Sequence, residues 1–233
     1  MKGKIITVKV NKGGVGKTFL TAQLGAGLAM IDKKVLIITS DSQNNILNYL
    51  YQGDREFKKG LKEDVKNGKG EIFHLRENLS FIPLENNKFG NQFIQELSPY
   101  LMKKREDYDF ILIDSVPTMK IDDVFVHCSD KIIIPAFCDE VTIEGILNLV
   151  EHIDVNKISS IVINRYKNTE TQNQYLEKLK NAVEGTEILL AEPIPQLSMI
   201  EKILDKKKSV WEYSNKDILK IQDILAEVMQ KII

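Results

Sequence analysis

A chain of 233 residues, 43% hydrophobic and 28% charged, can bury one substantial core, and one α/β domain over 1–233 is expected. A net charge of −1 lacks the whole-chain basicity of a dedicated nucleic-acid binder, and no run approaches the ~18 unbroken apolar residues of a membrane span, so a cytoplasmic chain with no membrane partner is expected. Cys128 and Cys138 lack metal-ligand spacing and read as reduced, half-buried packing residues rather than a disulfide.

Met1-Lys2-Gly3-Lys4 leads straight into a strand over Ile5–Val10, without a signal-peptide core. Further strands are expected at Val35–Thr39, Leu79–Pro83, Phe110–Asp114, Lys131–Pro135, Ser159–Asn164 and Glu187–Ala191. Helical periodicity fills the intervals at Lys17–Ile31, Asn91–Arg105, Thr142–Ile153, Thr171–Val183 and Lys216–Ile232. The alternation predicts a doubly wound, mostly parallel sheet with helices on both faces, right-handed crossovers and a ligand at the carboxyl ends of the strands. The polar stretch Gln52–Gly70 reads as a surface helix and loop.

After the first strand comes Lys12-Gly13-Gly14-Val15-Gly16-Lys17-Thr18, followed by Phe19. Asn11 stands where the strict phosphate-loop pattern has its first glycine. The three glycines still let backbone N–H groups turn onto phosphate oxygens, and the following helix adds its unpaired N-terminal amides. Lys17 can reach the β- and γ-phosphates, and the Thr18 hydroxyl can ligate Mg²⁺.

Lys-Gly-Gly-x-Gly-Lys-Thr resembles the deviant Walker A motif of the ParA/MinD family of P-loop ATPases. The resemblance implies an ATP-sandwich homodimer, with Lys12 reaching phosphates held by the partner subunit. Thr39-Ser40-Asp41-Ser42-Gln43 is similar to the family's Asp-x-Asp-Pro-Gln segment, with Thr39 in place of the first aspartate and Ser42 in place of the proline. It implies a catalytic Asp41 that positions the attacking water and joins Thr18 and Asp114 as the metal set; an N-capping role for Asp41 stands beside it.

Tyr108–Asp114 has Walker B character, an apolar strand closed by a carboxylate, and Asp114-Ser115-Val116-Pro117 is similar to the family's Asp-x-Pro-Pro with one proline missing. The resemblance continues through Asp130–Cys138 and Glu144-Gly145. It assigns Asn164 to adenine, whose N6 donor and N7 acceptor an amide can pair, and Pro193 and Pro195 to the other side of the base.

Family relatives divide by task. ParA proteins bind DNA non-specifically as ATP dimers and answer to a ParB-type centromere-binding protein, whereas MinD proteins sit on membrane through a C-terminal amphipathic helix. Here the terminal helix carries acidic residues and reads as the last packed helix. The partition reading leads, therefore, with ATP and Mg²⁺ as cofactors, and with no region ahead of the P-loop expected to bind an operator. A basic cluster of Lys202, Lys206, Lys207 and Lys208 is the candidate DNA contact, against its reading as a solvated helix end. A MinD-like positioning ATPase and a nucleotide-dependent scaffold with little hydrolysis, which Thr39 permits, are the alternatives. An iron-protein-like reductase is disfavoured, because Cys128 and Cys138 lie in ordinary apolar surroundings.

Overall fold

A computed structural model describes residues 2–116 and 120–233, and within one helix it leaves aside the side chains of 148 and 150–152. Pro117 of the Walker B segment lies outside the described residues, as does Met1. In chain order the strands are β1 Lys4–Val8, β2 Val35–Thr39, β3 Phe73–Arg76, β4 Leu79–Ile82, β5 Phe110–Asp114, β6 Lys131–Ala136, β7 Ile158–Ile163 and β8 Leu189–Leu190. The helices are α1 Lys17–Met30, α2 Asn45–Leu50, α3 Leu61–Asn67, α4 Asn91–Lys104, α5 Lys120–Cys128, α6 Glu140–His152, α7 Glu170–Val183, α8 Ser198–Asp205 and α9 Lys216–Gln230.

The strands join in one sheet of order β3-β4-β2-β5-β1-β6-β7-β8, parallel except for the β3–β4 pair. From β1 the chain first builds one half of the sheet and then, after β5, the other. This reversal beside β1 opens a crevice at the strands' carboxyl ends. Strand alternation sorts the core. Ile6, Val8 and Ile37 pack with α1, α2, α8 and α9 on one face, while Ile5, Leu36 and Ile38 pack with α3, α4 and α5 on the other, where Ile132 and Ile134 meet α6 and α7. Helix α1 is buried nearly all round, as expected of a helix laid along the centre of the sheet.

Most expected elements are present with ends shifted by a residue or two, but three corrections stand out. Glu187–Ala191 forms only the two-residue β8. The antiparallel edge strand β3 and the helix α5 are additions to the expected elements, while α2 and α8 give bounds to the helix expected after Asp41 and the helix end expected at the lysine cluster. Both cysteines are buried, Cys128 at 6% exposure and Cys138 at 4%, rather than half-buried, and both are free. Burial pushes the Cys138 thiol up to about 11, which makes it a packing group rather than a nucleophile. The terminal helix packs as expected, burying Ile218, Ile221, Leu225 and Val228 against the α1 side. Among the described residues no helix is long and apolar enough to cross a membrane.

Candidate nucleotide site

Between β1 and α1 the chain makes a turn that a side chain would obstruct. Gly14 and Gly16 have φ of 77° and 97°, in the left-handed region. A Cβ on Gly16 would also stand 2.1 Å from the Asn164 amide nitrogen, so glycine is required there twice over. Gly16 begins α1 with no side-chain cap and no acid in the first turn, which leaves that turn's N–H groups for an external anion.

The loop borders a cavity of about 510 Å³ lined by Gly13, Gly14, Gly16, Lys17, Thr18 and Phe19, by Asp41 beyond β2, by Asp114 at the end of β5, and by Asn164 and Pro195. The candidate phosphate, metal and base residues thus converge although up to 182 residues separate them in the chain. Val15 is fully buried in the core and offers the site only its backbone, its carbonyl accepting from Asn164 Nδ2 at 3.2 Å. Pro193 is not among the lining residues, so Pro195 alone of the two prolines faces the cavity. Asn45, Tyr49, Arg165, Gln196, Leu197, Ile200, Glu201 and Leu204 line it as well. For Leu197, Ile200 and Leu204 the signal in the sequence is their apolar spacing, running from the residue before α8 along one face of it.

Lys17 is 8% exposed and donates to the Lys12 carbonyl at 2.9 Å, across the mouth of the loop. Burial holds its ammonium below the ordinary lysine range, opposed by the charges of Asp114 and Asp122. Lys12 lies elsewhere. It is not among the lining residues, and its ammonium sits on Asp139 Oδ1 and Oδ2 at 2.8 and 2.9 Å and on the Thr142 hydroxyl at 3.0 Å, at the start of α6. Burial alone would raise Asp139, but hydrogen bonds from Lys12 and Thr142 hold its carboxyl below the usual carboxylate range.

Asp41 departs from its expected capping role. The residue preceding α2 is Asn44, at φ 50° without a side-chain cap, while Asp41 Oδ1 accepts the Gln43 N–H at 2.9 Å and closes a short Asx turn. Thr39, where the family has a carboxylate, is 1% exposed; its hydroxyl donates to the Asp114 carbonyl at 3.2 Å and accepts the Asp41 N–H at 3.0 Å. Because Thr39 is in register with Asp114, a hydroxyl here anchors the Asp41 loop without setting a second buried anion beside the first.

Asp114 is 2% exposed; its Oδ2 accepts the Thr18 hydroxyl at 2.8 Å, and its Oδ1 is buried with no hydrogen-bonding partner. A buried, unpartnered carboxylate oxygen beside a threonine hydroxyl and a phosphate-binding loop fits a hard divalent cation. Burial pushes the Asp114 carboxyl up to about 6 from an ordinary 3.8, against the opposing pull of Thr18 and Lys17. Across that interval the native carboxyl keeps a proton that the unfolded chain has released, so its ionisation destabilises the fold as pH rises, by about 3 kcal/mol. Asp114→Asn is therefore expected to flatten the fall in stability between pH 4 and 7, measured by urea unfolding without divalent metal. An unchanged pH profile would place the charge in a solvated setting.

Of the candidate DNA contacts, Lys202 and Lys206 are exposed, Lys207 Nζ is bound to the Asn48 carbonyl at 2.5 Å, and Lys208 lies 3.9 Å from Glu212.

Known proteins resemble this chain in sequence and in fold. The pattern of the AAA domain family (AAA_31) matches residues 3–167. The sporulation initiation inhibitor protein Soj of Bacillus subtilis is 29% identical over 166 residues, 65% of this chain; the match spans 65% of the length of that relative. A Borrelia burgdorferi protein described as a plasmid partition protein, bound to AMPPNP, superposes with a TM-score of 0.80 at 25% identity, with all of both chains covered. An ATP complex of McdA from Cyanothece gives a TM-score of 0.82 at 16% identity, covering 99% of this chain and 96% of the other, which is a likeness of fold.

Proposed function

Since the chain belongs to the AAA domain family of ParA/MinD-type P-loop ATPases, we propose that it is a DNA-partition ATPase: a single unit over 1–233 that pairs on ATP, binds DNA without sequence preference and hydrolyses ATP when a ParB-type partner engages it. The observation that carries the nucleotide chemistry is the convergence of Gly13, Gly14, Gly16, Lys17, Thr18, Asp41 and Asp114 on one cavity. The similarity to Soj and to the Borrelia partition protein supports the partition role.

In this reading the loop amides and Lys17 hold the β- and γ-phosphates, and Lys17 must turn from the Lys12 carbonyl to do so. Thr18 and Asp114, with Asp41 at the cavity wall, would hold Mg²⁺, which when bound supplies positive charge to the phosphate oxygens. Asp41 orients the attacking water from its turn. Asn164 donates to the Val15 carbonyl of the P-loop, and its Oδ1 accepts the Arg165 N–H at 2.9 Å. Its second amide hydrogen and remaining lone pair are the groups for adenine, with Pro195 opposite. Lys12 leaves Asp139 to reach the partner subunit's phosphates. That ion pair is partly exposed, at 31% and 41%, so releasing it costs about 1 kcal/mol or less.

A nucleotide-dependent scaffold with slow hydrolysis is the second reading, favoured by Thr39 in place of a carboxylate. Single-turnover hydrolysis, with and without DNA and partner, separates the two. DNA- and partner-stimulated turnover is expected. Turnover equal to that of a Lys17→Met control would leave a binding scaffold.

A further inference from the structure

Residues 55–69 carry six basic side chains against three acidic ones in a chain whose net charge is −1. Two neighbouring carboxylates, the exposed Glu71 and the half-buried Glu85, are taken up by backbone amides. Glu85 accepts the N–H groups of Gly60, Lys62 and Glu63 at 2.6, 3.0 and 3.0 Å, and Glu71 accepts those of Lys58 and Lys59 at 2.9 and 3.0 Å. Asp64, 4% exposed, binds the Tyr100 hydroxyl at 2.7 Å and pairs with Lys104 at 3.0 Å. Lys58, Lys59, Lys66, Lys69 and Lys88 are exposed, and among the described residues none of them forms an ion pair.

Lys62 and Lys66 lie one turn apart on α3, Lys58 and Lys59 just before that helix and Lys69 just after it. Lys66 and Lys103 border a groove of about 520 Å³ between α3 and α4, and Lys62 Nζ reaches Asn86 Oδ1 at 2.6 Å and the Lys88 carbonyl. The 84–88 loop that receives Lys62 also grips the Asp41 loop from the other side. Asn87 Oδ1 accepts the Ser42 N–H at 3.1 Å, and the Asn44 amide pairs with Leu84 N and O at 2.7 and 3.0 Å. The surface also excludes an alternative occupant. No large hydrophobic side chain is exposed in 54–70 or 84–99, the nearest being Ile72 and Met102 at its margins, so there is nothing to insert into a bilayer. Unpaired ammonium groups beside amides are the chemistry of sequence-independent phosphate contact.

We propose that the face formed by Lys58, Lys59, Lys62, Lys66, Lys69 and Lys88 docks the phosphate backbone of DNA, and that the 84–88 loop carries the docked state to the Asp41 loop. This rests on the DNA-binding reading above and locates it away from Lys206–Lys208.

The test uses the full chain with ATP and a random-sequence DNA duplex over a salt series. Replacing Lys58, Lys59 and Lys66 together by Gln is expected to weaken binding at least tenfold and to make the log affinity against log salt slope shallower by about 3. ATP-dependent pairing and DNA-free turnover stay at wild-type levels. The same exchange at Lys206, Lys207 and Lys208 is expected to have the smaller effect. Asn87→Ala is expected to keep DNA affinity and lose the change in hydrolysis that DNA produces. Unaltered affinity and slope in the first triple variant, or its loss of binding to anionic phosphatidylglycerol vesicles with DNA binding intact, would overturn the docking face. A DNA response preserved in Asn87→Ala would overturn the coupling. If the wild-type chain pairs on ATP but ignores DNA, the docking proposal fails while the ATPase reading stands.

Discussion

Lys17→Met is expected to lower ATP turnover by about three orders of magnitude, measured in single-turnover assays at saturating nucleotide. The side chain is 8% exposed at the bottom of a glycine turn and supplies a charge that the loop amides cannot replace. Its present acceptor is the Lys12 carbonyl, a neutral group, so a phosphate oxygen gives a stronger charge-assisted bond. Methionine keeps most of the buried methylenes and removes an ammonium that burial already disfavours. The free protein should consequently hold its stability to within about 1 kcal/mol, which separates a catalytic loss from an unfolded one. Turnover within threefold of wild type would remove Lys17 from the phosphate site.

Asp41→Ala is expected to slow hydrolysis by about 10² to 10⁴ while leaving ATP affinity nearly intact, so the paired ATP form accumulates. Two roles meet at this carboxylate, the orientation of water and the closing of the turn at Gln43. Asp41→Asn distinguishes them, because an amide oxygen still accepts the Gln43 N–H but carries no charge. If charge is what matters, Asn is as slow as Ala; if the turn is what matters, Asn recovers most of the rate. Hydrolysis unchanged in both variants would move the water-orienting role elsewhere.

The central strands were legible because each is an apolar run closed by a turn residue, buried on both faces. The edge was not. Phe73-His74-Leu75-Arg76 is four residues with alternate burial, paired through a tight turn in which Asn78 has φ 59°. Such a segment is too short for its period to stand out from the polar stretch before it. Helix α8 is legible only as a helix end at the lysine run, because Pro195 and that run flank a stretch of only eight residues, too short for its period to mark Ile200 and Leu204 as cavity wall. The P-loop could be read directly, since its chemistry lies in consecutive residues. Lys12's partner could not, because Asp139 is 127 positions away and only the β6–α6 connection brings it near. Pro193 and Pro195 resemble each other in sequence, yet only Pro195 lines the cavity.

The most direct test of the account is sedimentation of the chain with ATP and Mg²⁺, alongside Lys12→Ala and Asp139→Asn. With Lys12 moving from Asp139 to a partner's phosphates, the wild type should pair only with ATP, Lys12→Ala should bind ATP but remain single, and Asp139→Asn should pair about two- to fivefold more tightly. ATP-dependent pairing that is equal in wild type and Lys12→Ala would contradict it.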